Sequence, residues 1–124
     1  MITKLFIVAA GGSLGTVLRY LVFILFEKQH VSLFPWATLT VNIVGSLLIG
    51  FLWGMFDRIY ISPGVRMLIF IGLLGGFTTF STFAFDIFSL LRDGEYKLMI
   101  AYFLASNVFG IGGAMFGYYL TRIF

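Results

Sequence analysis

The sequence predicts an all-α integral membrane protein of four transmembrane helices, the third of them broken near its middle. Three observations carry that prediction. The chain is 60% hydrophobic and only 10% charged, whereas soluble domains carry about 25% charged residues. The charges are also spaced apart by long gaps. Arg19 is the only charge between Lys4 and Glu27, and Val31 to Phe56, Met67 to Phe85 and Leu98 to Thr121 contain none. About 20 residues of helix suffice to cross a hydrocarbon core, so each run is long enough. Finally, Gly72 to Phe85, GLLGGFTTFSTFAF, places three glycines and then Thr78, Thr79, Ser81 and Thr82 inside the third apolar run. A helix that only faces lipid gains little from such a composition. Adjacent glycines point to a kink or break, tolerated in a membrane where the freed backbone lines a cavity or faces protein.

The spans fall at about residues 3–26, 34–56, 65–91 and 97–121, a single transmembrane domain over 1–124 with short connections. A net charge of +3 is spread over segment ends, where Lys and Arg meet headgroups, and gives no nucleic-acid signal. The absence of cysteine excludes disulfides and thiolate metal ligands. No phosphate-loop, dinucleotide, zinc or nucleophile-elbow pattern occurs.

In the first segment, Gly11, Ser13 and Gly15 form a small-residue surface for close helix contact. Arg19 has two readings: an interfacial anchor beside Tyr20, or a guanidinium facing a partner or wet cavity. Glu27, Lys28, Gln29 and His30 read as a polar connection, with His30 a loop residue. The second segment opens near Phe34 and Pro35, with the proline in the first helical turn. Asn42 shares a face with Gly45, Ser46 and, roughly, Gly50. It is either interhelical glue or a neutral donor lining a polar path. Gly50 and Gly54 extend the small-residue seam.

Asp57 to Gly64, DRIYISPG, is a turn. In the third segment Phe80 and Phe83 are three apart and share a face of any helix that follows the break. Asp86, just beyond, is expected near the interface or paired. In the fourth segment Tyr102 and Ser106 are four apart, so their hydroxyls fall on one face beside Asn107. Gly113 and Gly117 have the GxxxG spacing of close helix pairs.

Four crossings place Lys4, Arg58, Arg66 and Arg122 on one side, against Lys28, Arg92 and Lys97 on the other, with Arg19 leaning toward the latter. A fixed orientation shows a clear Lys/Arg excess on the cytoplasmic side. Near-balance predicts insertion both ways, and with it an up-down pair in which each broken helix meets its inverted copy.

Taken together, Gly11-Gly12-x-x-Gly15-x-x-x-Arg19-Tyr20, Thr40-x-Asn42-x-x-Gly45-x-x-x-x-Gly50 and Gly75-Gly76-Phe77-Thr78-Thr79-Phe80-Ser81-Thr82-Phe83 resemble the CrcB/Fluc family of fluoride channels over essentially the whole chain. The resemblance implies an antiparallel, dual-topology homodimer in the plasma or bacterial inner membrane that exports cytoplasmic fluoride passively and confers fluoride resistance. It implies two pores along the dimer interface, lined by Asn42, Phe80, Ser81, Thr82, Phe83, Tyr102 and Ser106. It also implies a central sodium ion held by the backbone carbonyls of Gly75 and Thr78 from both subunits, with Arg19 in a structural or vestibule role. The hydroxyl track of the fourth helix lapses after Ser106, because Gly110 and Ala114 occupy the next four-residue steps.

The physical chemistry agrees with that expectation. A small anion leaving water needs many partial positive charges and no deep trap, so that it can also leave. Ring edges, hydroxyls and amides supply them, and a fixed cation would favour anions from outside the path. The stretch holds no nucleophile–base pair, which disfavours a membrane enzyme. A proton-coupled transporter of cationic drugs would want a carboxylate well inside the membrane, and Asp86 stands near a segment end. A non-conducting assembly subunit would explain the glycines but not the concentrated polar groups.

Overall fold

The uncharged runs become helices with little interruption because intrahelical hydrogen bonds are how a lipid-embedded backbone satisfies its polar groups. The computed structural model describes residues 1–29 and 32–124. Helices α1 (Ile2–Gln29), α2 (Trp36–Phe56) and α6 (Tyr96–Leu120) are single spans. The third span, Pro63–Arg92, is composite: α3 (Pro63–Arg66) runs into a π-helical stretch, Met67–Leu74, then α4 (Gly75–Phe77), and resumes as α5 (Phe80–Arg92). Four helical segments are thus long and apolar enough to cross a membrane, and among the described residues there are no strands.

Several boundaries differ from the sequence expectation. Glu27, Lys28 and Gln29 continue α1 instead of forming a connection, and His30 lies outside the described residues. Long polar side chains at a helix end can reach the headgroup layer without the helix stopping. Pro35 precedes α2 as its cap residue, at φ −80 and ψ 71, and is not in the first turn. The third span begins at Pro63 because the Ser62 hydroxyl accepts from the Val65 N–H and the proline fixes the first helical φ.

The largest difference concerns the break. Gly75 is helical, at φ −62 and ψ −37. The chain leaves the helix at Thr78 (φ −84, ψ 159) and Thr79 (φ −151, ψ 118), both extended. Threonine is at ease there, since its branched Cβ suits extended backbone. The glycines are used for contact instead: a Cβ on Gly76 would stand 2.6 Å from the Gly12 carbonyl oxygen.

Two helix pairs form the body, each running parallel. α1 packs along the first half of the third span, where a Cβ on Gly11 would collide with the Leu68 carbonyl and one on Gly15 with the Leu73 carbonyl. α2 packs along α6, where Gly50 meets the Ala114 carbonyl and Gly117 the Leu47 carbonyl with no room for a side chain. Small residues let backbones touch in a solvent that gives helices no hydrophobic push together. Gly113 is looser, with its nearest neighbour at 3.7 Å, so Gly117 carries the close contact of that pair.

Arginines tie one end of the body. Arg58 donates to the Thr121 carbonyl and, at 2.9 Å, to that of Phe124. Arg66 donates to the Phe56 carbonyl at 2.8 Å and lies over the Phe56 ring. The helix-terminal carbonyls of α2 and the chain end thereby receive charged donors. At the other end, Gly94 turns α5 into α6 with φ 75, a conformation that glycine adopts freely.

Candidate functional site

The break at Thr78 and Thr79 leaves backbone groups without helical partners, and Asn42 of α2 answers them. Its Nδ2 donates to the Thr79 carbonyl at 3.0 Å, while the Thr79 N–H donates to its Oδ1 at 2.8 Å. One side-chain amide therefore clamps both polar groups of a residue that is 7% exposed. The second Nδ2 hydrogen is left over for another acceptor.

Thr79 then starts the next helix. Its hydroxyl accepts from the Thr82 N–H at 3.2 Å, capping α5, and lies 3.1 Å from the Thr82 hydroxyl and 3.4 Å from that of Ser81. Thr78 closes the preceding turn twice over, its N–H and its hydroxyl both donating to the Leu74 carbonyl, at 3.0 and 2.9 Å. Among the carbonyls at the break, those of Gly75 and Thr78 lose their helical donors to other partners. An unbroken helix would pair the Gly75 carbonyl with the Thr79 N–H and the Thr78 carbonyl with the Thr82 N–H. Those N–H groups go to Asn42 and to the Thr79 hydroxyl instead.

Beside the break opens a cavity of about 380 Å³ that brings together Asn42, Gly75, Thr78, Phe80, Phe83 and Ser106. Asn107, Thr79 and Ser46 also line it. Phe80 is 80% exposed and reaches across the open side, with its ring centroid 5.9 Å from that of Phe83. Shared spacing thus does place the two rings together. The Ser106 hydroxyl is buried and has no hydrogen-bond partner, an uncommon state for a polar atom in a protein interior.

The remaining candidates sit apart. Tyr102 is fully buried behind Phe83, with ring centroids 5.3 Å apart, and its hydroxyl donates to Asp86 at 3.0 Å. Asp86 is therefore paired, as expected of a carboxylate at this depth. Thr82 and Asp86 line a second, smaller cavity of about 220 Å³ with Thr38, Phe34 and Trp36. Ser81 is exposed beside Thr79 and outside both cavities. Arg19 is half-buried on α1, one turn beyond Gly15, with no hydrogen bond or ion pair among the described residues.

The sequence reading missed Thr79 as the hub of the break. The signal was present, since a threonine followed three residues later by another polar residue marks a helix start. It also took Asn42 as either glue or a pore donor. The geometry uses both the Oδ1 and the Nδ2 as glue to Thr79, and Asn42 is also one of the residues lining the cavity.

Four apolar spans, one interrupted at mid-length beside a cavity lined by aromatic rings, hydroxyls and an amide, define a multi-pass membrane protein. Comparison with known proteins gives the particular family. Residues 6–118 match the family described as CrcB-like protein, Camphor Resistance (CrcB). A protein of Nitrobacter hamburgensis named fluoride-specific ion channel FluC 1 is 46% identical over 122 residues, covering 98% of this chain and 97% of its own. Proteins named fluoride-specific ion channel FluC are 43% identical over 119 residues in Phocaeicola vulgatus and 44% identical over 116 residues in Aquifex aeolicus. They cover 96% and 93% of this chain, and 98% and 94% of their own. The chain belongs to the CrcB family.

Proposed function

We propose that this protein is a fluoride-selective channel, not an enzyme, that exports cytoplasmic fluoride passively as an antiparallel homodimer. The observation that carries the reading is the cavity at the helix break. It offers an unpaired serine hydroxyl, a spare amide hydrogen and two phenylalanine edges to a small anion, with no fixed cationic side chain to trap it. Relatives covering nearly the full chain bear the fluoride-channel name.

The homodimer and the dual topology rest on two supports. A single chain leaves the cavity open-sided with Phe80 standing out of it, so a second copy would complete the wall. Positive charges divide four to three between the two ends, giving little preference for either orientation. Within that pair the pores would be lined by Asn42, Phe80, Ser81, Thr82, Phe83, Tyr102 and Ser106.

A structural sodium ion fits the carbonyl donors. Gly75 and Thr78 carry the two carbonyls whose helical N–H partners are diverted, and a hard cation is bound by such oxygens. Among the described residues no cluster of three acidic, histidine or cysteine side chains offers an alternative. When bound, sodium would supply a fixed positive charge beside the anion path.

Purified protein in liposomes should release fluoride down its gradient while retaining chloride. Equal release of both ions, or of neither, would overturn the selective-channel reading. For orientation, a cysteine replacing exposed Asp93 avoids the left-handed backbone of neighbouring Gly94, which a side chain would strain. It should label from both membrane faces in cells, and labelling from a single face would exclude dual topology.

A further inference from the structure

The fourth helix stops offering hydroxyls after Ser106, yet the cavity beyond it is not left apolar. Ser46, projecting from α2 one turn past Asn42, lines the same wall as Ser106 and Asn107. Gly110 occupies the next step of the α6 face after Ser106. A Cβ built on Gly110 has a single neighbour within 4 Å, the Ser46 Oγ at 3.8 Å. The hydroxyl of Ser46 thus lies at ordinary contact distance from a side chain that position 110 would carry.

We propose that Ser46 is a permeation residue whose hydroxyl takes over the anion path from Ser106 where α6 lapses at Gly110. The path crosses at this point from one helix to the facing one. This assignment rests on the fluoride-channel reading. An O–H on a short side chain can rotate to donate to a passing anion and then release it. Among the described residues no intrachain hydrogen bond engages the Ser46 hydroxyl, so its donor is free for that use. Ser46 is half-buried, and the closest α2–α6 contacts are made at Gly50 and Gly117, so its replacement by alanine should leave that seam intact.

The test uses full-length protein in liposomes with fluoride efflux as the readout. Ser46→Ala should slow efflux roughly five-fold, the scale of one lost hydrogen bond, while Ser46→Thr, which keeps the hydroxyl, should stay near wild type. The decisive variant is Ser46→Ala combined with Gly110→Ser, which returns a hydroxyl from the opposite helix into the space that alanine leaves. Its efflux should recover. Undiminished flux in Ser46→Ala, or slowed flux that the Gly110→Ser change does not restore, would overturn the assignment of Ser46 while leaving the channel reading in place. A wild-type protein that releases no fluoride would instead remove the channel reading, and the role of Ser46 with it.

Discussion

Asn42→Ala should abolish fluoride efflux and lower thermal stability in detergent together. The side chain holds both the N–H and the carbonyl of Thr79, at 2.8 and 3.0 Å, and Thr79 is buried. Removing the amide leaves the buried Thr79 N–H without a partner, at a cost of about 1–3 kcal/mol, and takes away the second donor to the Thr79 carbonyl. The extended conformation at Thr78 and Thr79 then loses its main external support, and the wall of the cavity moves with it. Asn42→Asp separates the two halves of the effect. The carboxylate can still accept from the Thr79 N–H but presents a second acceptor to the Thr79 carbonyl and adds a negative charge to an anion path. It should be as inactive as alanine. Efflux and unfolding temperature measured on the same preparations check this. Wild-type conduction in Asn42→Ala would show that the break holds its shape without the clamp.

Replacing Phe80 or Phe83 with isoleucine should reduce fluoride flux about ten-fold or more, corresponding to about 1.4 kcal/mol at the barrier. Isoleucine preserves apolar bulk and removes the positive ring edge. The two substitutions are not equivalent in this fold. Phe80 is exposed and, among the described residues, its only ring neighbour is Phe83, so Phe80→Ile should leave stability unchanged. Phe83 also packs against Tyr102 and Phe103, so Phe83→Ile should add a stability loss of about 1 kcal/mol, as aromatic pairs contribute on that scale. Fluoride efflux beside a check of dimer assembly tests both. Wild-type flux in the two variants would make the rings packing residues only.

Much of this was legible from residues alone. Uncharged runs gave four spans, because the hydrocarbon core excludes charge on a fixed length scale. The Phe80–Phe83 and Asn42–Ser46 faces followed from helical spacing. What escaped was the location of the break by two residues. Gly75-Gly76 looks like the weak point, since glycine has the freest backbone, but freedom is not a reason to unfold when the same absence of a Cβ permits contact with Gly12. Thr78 and Thr79 depart because Asn42 and the Thr79 hydroxyl offer their neighbours replacement hydrogen bonds. That choice depends on a partner 37 residues away in sequence, which no local pattern contains. Likewise, Tyr102 and Ser106 share a face on paper, but Asp86 draws the Tyr102 hydroxyl away from the large cavity.

The break has an electrical consequence as well. Thr78 and Thr79 divide Pro63–Arg92 into two helical halves near its centre. Each half carries its own macrodipole, equivalent to roughly half an elementary charge at either end. The positive end of α5 and the negative end of α4 therefore meet at one level, close to the middle of the span. An unbroken helix would keep both poles at the membrane surfaces, where water screens them. Here the poles lie in a medium of low dielectric, so the opening turn of α5 would favour an anion and the last carbonyls of α4 a cation. The chain thereby polarises the middle of the span with no charged side chain among the described residues that line the cavity.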